Sequence, residues 1–323
     1  MARSSPKRCH RDRDESAVGQ PLVTVVAAVV DQWRRAPAVL QALAWMIAAG
    51  ILFAGLNAAQ KFLTHELPPP EVVCLRYVVG SALLAPLVIR AGWSAYRPRR
   101  PLLMAGRSVV HAAGSLLWFT AIPHVGLAEI SAIGFTGPIW MMLGASLFLG
   151  ERMYGARWTA TLVAFAGVLI VLWPGLIRAD FDTWPSLMLL ACSPLMAISF
   201  LISKALTRHE RPESIVFWLG IGMGTILLPV AAVDWRWPTA WQWALLAGCG
   251  GVGSSAHYAM TRAFRIADVS ALQSVRFLDL LWAAAMGMIV FGSLPTLWTL
   301  AGGIVICAAT VWIARYEARR RPA

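Results

Sequence analysis

The chain has 323 residues, 58% of them hydrophobic and 14% charged, with a formal net charge of +12 and a mean hydropathy of +0.63. Soluble domains carry about 25% charged residues, so this composition excludes an ordinary water-soluble globule and places the chain in a bilayer. The basic excess does not point to nucleic acid either, because it is divided among short loops that a bilayer holds in one plane, with no basic domain to carry a binding face.

Residues 1–39 open with "MARSSPKRCHRDRDES", polar and charged, and continue into "LVTVVAAVV", apolar but too short to span. A basic cytoplasmic tail followed by a segment lying on the membrane surface is expected. A signal peptide fits only in outline, since no A-x-A cleavage site follows the apolar run.

Ten apolar stretches follow, over residues 40–62, 72–89, 101–121, 127–149, 156–173, 185–206, 215–233, 241–263, 269–291 and 297–316. About 20 helical residues cross a hydrocarbon core of about 30 Å, so each reads as a transmembrane helix. One side of the membrane collects the arginine-rich tail, Arg90, Arg97, Arg99, Arg100, Arg152, Arg157, Lys204, Arg208, Arg211, Arg262, Arg265, Arg315 and Arg319, against Lys61, Arg178 and Arg236 on the other. This is the positive-inside pattern, and it puts both termini in the cytoplasm. Trp173, Trp184, Trp235, Trp237, Trp241 and Trp243 gather at the predicted outer ends as interfacial anchors. Cys9, Cys74, Cys192, Cys249 and Cys307 show no paired spacing, so free thiols are expected, with neither a disulfide framework nor a metal site.

The chain repeats itself. "QKFLTHELPPPE" from Gln60 lines up with "SKALTRHERPE" from Ser203, and "AEISAIGF" from Ala128 with "ADVSALQS" from Ala267, at offsets of 142 and 139 positions. Five spans per half is odd, so the second half enters the membrane in the opposite sense. The expected fold is therefore an all-α membrane protein of ten transmembrane helices built as two inverted five-helix repeats, at 40–180 and 181–323. Inverted repeats of this kind recur in secondary transporters, with a substrate site near the midplane where the halves meet.

The stretches "PPPEVVCLRY", "WFTAIPHVGLAEISAIGFTGPIW", "LFLGERMYGARW" and "AFAGVLIVLWPG", then "AFRIADVSALQSVRFLDLLW" and "FGSLPTLWTLAGGIVI", resemble the drug/metabolite transporter superfamily, specifically its EamA-type ten-helix carriers. The resemblance covers about residues 40–317. It implies the ten-helix fold and a carrier function, and it leaves the substrate open. Arg76 in "CLRYVVG" matches a family position whose arginine recurs across many substrates, which implies an architectural role. Two departures stand out: Gly150-Glu151 keeps the family's acidic residue where Gly292-Ser293 does not, and Pro138 has Phe277 as its counterpart.

The charges inside the spans are the candidates for chemistry. Arg276 and Asp279, three apart, share a helix face and can pair. An unpaired charge at a helix centre costs roughly 2.5 to 3.5 kcal/mol, so both must face protein or water, either as a closed pair pinning the ninth helix or as part of a cavity wall. Arg107 and His111 stack one turn apart with Ser115 and Trp118 continuing the stripe, unless Arg107 snorkels to the surface. His257, Tyr258, Gln273, Trp140, Asn57 and Thr136 are further expected substrate contacts. Glu129 and Asp268 sit near helix amino termini, as caps or as coupling groups alongside Asp279. Gly134, Gly137 and Pro138 predict a bend in the fourth span, and Pro194 a similar hinge in the sixth. "GCGGVG" from Gly248 lies mid-span with no preceding strand, so close helix packing explains it rather than a dinucleotide; Gly220 and Gly224 read the same way.

None of the metal or nucleophile motifs of membrane enzymes occurs in the spans, and "DFD" from Asp180 reads as a solvated turn. The expected function is a cofactor-free secondary transporter moving a small organic metabolite, anionic or zwitterionic, such as an amino acid or related compound, across the inner membrane. Its two halves would rock about a midplane cavity lined mainly by the first, third, fourth, sixth, eighth and ninth spans. A channel, receptor or scaffold is the alternative. A coupling proton, an exchanged solute and a homodimer stay open as partners beside the substrate and the lipid bilayer.

Overall fold

The computed structural model describes residues 36–121, 124–125, 127–177, 183–292 and 294–320. The expectations for the basic tail, its apolar segment, Cys9 and "DFD" lie outside these residues. Among the described residues the regular structure is helical throughout: α1 Ala38–Leu63, α2 Pro69–Ala91, α3 Pro101–Ala121, α4 Leu127–Gly134, α5 Gly137–Leu149, α6 Gly155–Leu176, α7 Thr183–Leu206, α8 Pro212–Ala231, α9 Ala240–Ile266, α10 Val269–Arg276, α11 Asp279–Phe291 and α12 Leu297–Arg320. Two short 3₁₀ turns follow α2 and α8.

Counting α4 with α5 and α10 with α11 as one span each, nine spans are long and apolar enough to cross a bilayer. The tenth, α9, has 27 residues, about 40 Å at 1.5 Å per residue, and is less apolar because of its glycines, its serine pair and His257. Proline at the first turns of α2, α5 and α8 starts helices where an amide would in any case lack a partner. Gly150 and Gly292 end α5 and α11 in the left-handed region, at φ of 66° and 67°, where a side chain would be strained. Ten crossings return Ala38 and Arg320 to one side of the molecule, called here the terminal face.

The inverted duplication is visible in element lengths. The fourth and ninth spans are both broken, each into a piece of eight residues and a piece of thirteen. This sets the register of these spans at 142 positions rather than the 139 suggested by the AEIS and ADVS stretches. Pro138 therefore corresponds to Leu280 and not to Phe277, while Arg276 and Asp279 take the places of Gly134 and Gly137. The freed carbonyl of Ile133 at the first break accepts from the Thr136 amide and hydroxyl and from Ser193 Oγ of α7; at the second break the Ser274 carbonyl accepts from Thr310 Oγ1 of α12. Irregular backbone at membrane depth is tolerated where it is satisfied in this way.

Packing interleaves the two halves of the chain. The main helix pairs are α1 with α9, α3 with α7, α2 with α8, and α6 with α12, and each takes one member from each half. The first, second, eighth and ninth spans form one group; the third, fourth, sixth and seventh form its pseudo-symmetric mate; α6 and α12 flank both. A seam runs between the groups, crossed by α2 against α8 and by α5 against α10.

Small residues make these approaches close. A Cβ on Gly250 would lie 2.7 Å from the Gly80 amide nitrogen and 3.0 Å from the Arg76 carbonyl, and one on Gly224 would strike Val78. The glycines of "GCGGVG" and of the α8 pair thus clamp α2 from two sides, which is the packing role expected of them.

Candidate functional site

Three polar clusters lie along the seam. At mid-depth Tyr77 of α2 takes two histidines on its hydroxyl: His111 Nε2 at 3.0 Å and His257 Nε2 at 3.3 Å. His111 Nδ1 continues to Ser199 Oγ of α7 at 3.0 Å. Ser199 and His111 belong to one group and Tyr77 and His257 to the other, so this buried chain crosses the seam once, at the His111–Tyr77 contact. A tyrosine carries one proton, so one imidazole accepts it and the other donates a ring N–H to the phenolic oxygen. His257 Nδ1 has no protein partner.

The second cluster sits at the break of the ninth span. Arg276 Nε and Asp279 Oδ2 are 3.9 Å apart, with side chains 22% and 30% exposed. This is a loose pair across a turn rather than a hydrogen-bonded one. The Arg276 guanidinium stands 5.2 Å from the Phe200 ring, and Phe200 in turn packs edge-on against His111 at 5.9 Å, so the two clusters are contiguous. Asp279 and Trp282 fit against Gly50 of α1, where an added Cβ would fall on the Asp279 carboxylate. Trp282 Nε1 is buried without a partner.

The third cluster closes the seam at the terminal face. Arg157 of α6, 1% exposed, donates from Nε and Nη2 to both oxygens of Glu317 at 2.7 and 3.2 Å. It also reaches Ser270 Oγ at 2.7 Å and Asp268 at 3.3 Å. Glu151, just after α5, accepts from the Val269 and Ser270 amides and the Ser270 hydroxyl. Lys204 of α7 donates to the Phe264 and Ala267 carbonyls at 2.6 and 2.7 Å. Above this network opens a cavity of about 690 Å³. The cavity lies at the terminal face.

The remaining predicted residues divide. Arg107 does not snorkel: it is 1% exposed and donates to the Ile215 carbonyl of α8. Arg76 lies over the Tyr77 ring at 4.0 Å and against Gly253, within one group. Gln273 is fully buried and bonds back to the Val269 carbonyl; Tyr258 packs edge-on against Trp45. Trp118 lies against Gly134 at the first break. Thr136 spends its hydroxyl on the Ile133 carbonyl. Trp140 and Asn57 are exposed, and Pro194 lies inside an unbroken α7, so the hinge expected there is a helix interior. The Asp268 side chain does not cap α10; Glu151 does, and Asp268 pairs with Arg157. The Glu129 side chain lies outside the described residues.

Tyr77, Ser199, Phe200, Gly50 and the Glu317 partner of Arg157 were not singled out by the sequence reading. Only Glu317, a lone acid at the end of an apolar span, carried a visible signal.

An inverted duplication, two spans broken at matching depths, and charge held on the seam between the resulting groups define a membrane transporter. The model of the EamA-like transporter family matches residues 40–173 and again 183–315, and the chain belongs to that family. A riboflavin transporter of Rhizobium johnstonii is 35% identical over 85% of this chain and 91% of its own length. An S-adenosylmethionine uptake transporter of Rickettsia bellii is 28% identical over 84% and 93%. The pseudopaline exporter CntI of Pseudomonas aeruginosa is 27% identical over 83% and 94%. A protein of known crystal structure, 18% identical, shares the fold with a TM-score of 0.74 over 86% of this chain and 98% of its own. The chain is thus a multi-pass small-metabolite transporter and not an enzyme.

Proposed function

We propose that the protein is a secondary carrier of the inner membrane, with both termini in the cytoplasm, for a small ring-bearing metabolite that carries an anionic or zwitterionic group. The observation that supports this most is the Arg276–Asp279 pair. It stands at a broken helix on the seam, loosely closed and part-exposed, beside Phe200 and the unpartnered indole N–H of Trp282. A carboxylate can take Arg276 and an ammonium or N–H group Asp279, while an aromatic ring lies against Phe200 and Trp282. Riboflavin and S-adenosylmethionine, for which two relatives are named, both carry fused nitrogen heterocycles.

Alternating access follows from the grouping: the two mixed groups, rather than the two sequence halves, rock about the seam and expose the pair to each face in turn. Asp279 is the coupling group on that path; Asp268 is held by Arg157. Purified protein in liposomes should show saturable counterflow of S-adenosylmethionine, whose amino-acid end supplies the carboxylate and ammonium, and Arg276→Gln should abolish it while the protein stays folded. Conductance, or flux without counterflow, would sink the carrier reading.

A further inference from the structure

The cavity of about 690 Å³ at the terminal face is large enough for a drug-sized ligand, and none of the residues assigned above to the substrate lines it. Its charge is unbalanced. Five cationic residues line it against three carboxylates, and the three carboxylates are already engaged, Glu151 with α10 and Asp268 and Glu317 with Arg157. Arg152, Arg208 and Arg265 are exposed around it, and no described carboxylate pairs with any of them. A low-dielectric concavity with a cationic rim concentrates anions, and guanidinium groups bind carboxylate and phosphate in pairs of parallel hydrogen bonds.

We infer that this cavity is an anion site: a carboxylate or phosphate group is held at its mouth by Arg152, Arg208 and Arg265, above the Arg157–Glu317 pair that forms its floor. The group could belong to a soluble metabolite arriving at the carrier or to an anionic lipid headgroup. Any use in transport rests on the carrier reading, but the binding itself does not. An anion seated here would compete with Glu317 for Arg157, which couples occupancy of the site to the seam it closes.

The test uses full-length protein in phosphatidylcholine nanodiscs, titrated calorimetrically with inorganic pyrophosphate. The paired substitution Arg208→Gln with Arg265→Gln should weaken binding about ten-fold or more, whereas Arg90→Gln with Arg97→Gln, exposed arginines of the same face outside the cavity, should leave it unchanged. If pyrophosphate does not bind but native mass spectrometry shows phosphatidylglycerol retained by the wild type and shed by the Arg208/Arg265 variant, the headgroup is the source and the site stands. Neither signal, or equal weakening by both pairs, overturns it, because the effect is then the diffuse charge of the whole face. Counterflow measured on the same preparations reports separately on the carrier reading.

Discussion

The two ends of the seam occupy equivalent positions in an inverted repeat, yet they are held differently. At the terminal face Glu151, Arg157 and Lys204 all reach across or alongside the seam to partners in the second half. At the opposite face the position equivalent to Arg157 is Thr299, which bonds to Thr296 one turn earlier. The acids there, Glu66 and Glu71, bond to Gln242 of α9 and to the Arg236 amide of the α8–α9 loop. On the alternating-access reading proposed above, these charges favour the state in which the seam is closed at the terminal face. On that reading, exchanging the conformations of the repeats gives two states of unequal energy and so a defined resting orientation.

The largest effect should come from breaking the charged end. Arg157→Ala leaves Glu317, 3% exposed, as a buried unpaired carboxylate and should cost about 3–5 kcal/mol, read as a fall in unfolding midpoint in detergent. Replacing both partners by Met and Leu should cost less. Thr299→Ala at the equivalent place should be neutral; if it costs as much as Arg157→Ala, the two ends do not differ and the comparison fails.

The broken spans sharpen the same contrast. Gly134 and Gly137 stand in the first where Arg276 and Asp279 stand in the second, so the duplicated break has kept its shape and gained charge only once. Asp279→Asn should lower transport strongly and leave Arg276 unpaired at a cost of roughly 2.5–3.5 kcal/mol or less, given its partial exposure; the measurement is counterflow rate against unfolding midpoint. Gly50→Ala should displace Asp279 and Trp282, an overpacking cost of about 1–3 kcal/mol with a matching loss of rate. Gly137→Ala, with open space around it, should be tolerated in both assays. Equal damage from the two glycine changes would mean that Asp279 is not held where α1 meets the break.

These contrasts also show what could be read before the fold was known. Span positions were legible because a bilayer imposes length and hydropathy locally, and α3 begins and ends where the sequence places it. The first break was announced by Gly134, Gly137 and Pro138. The second was not, since Phe277 and Leu278 are ordinary helix residues and the break there is inherited from the duplicated geometry. Arg157 could only be counted as a topological charge, because Ser270 and Glu317 lie 113 and 160 positions away. Tyr77 and Phe200 looked like core aromatics; their roles depend on which helices cross, and hydrophobic periodicity does not encode that. The mixed grouping of the spans was hidden for the same reason.

The smallest effect should come from the stitch between the two ends. Tyr77→Phe removes both histidine contacts while keeping the ring that carries Arg76 at 4.0 Å, so the packing of α2 between its glycine neighbours is untouched. Hydrogen bonds between membrane helices average about 0.6 kcal/mol, and the midpoint should move by little. The chain Ser199–His111–Tyr77–His257 crosses the seam at mid-depth, where the proposed rocking would displace the groups least, so its loss should loosen both end states alike. Counterflow rates should therefore change similarly whichever face the substrate is presented to. Loss of transport in one direction alone would show that the phenol is bonded in only one of the two states, and would move the pivot of the seam away from Tyr77.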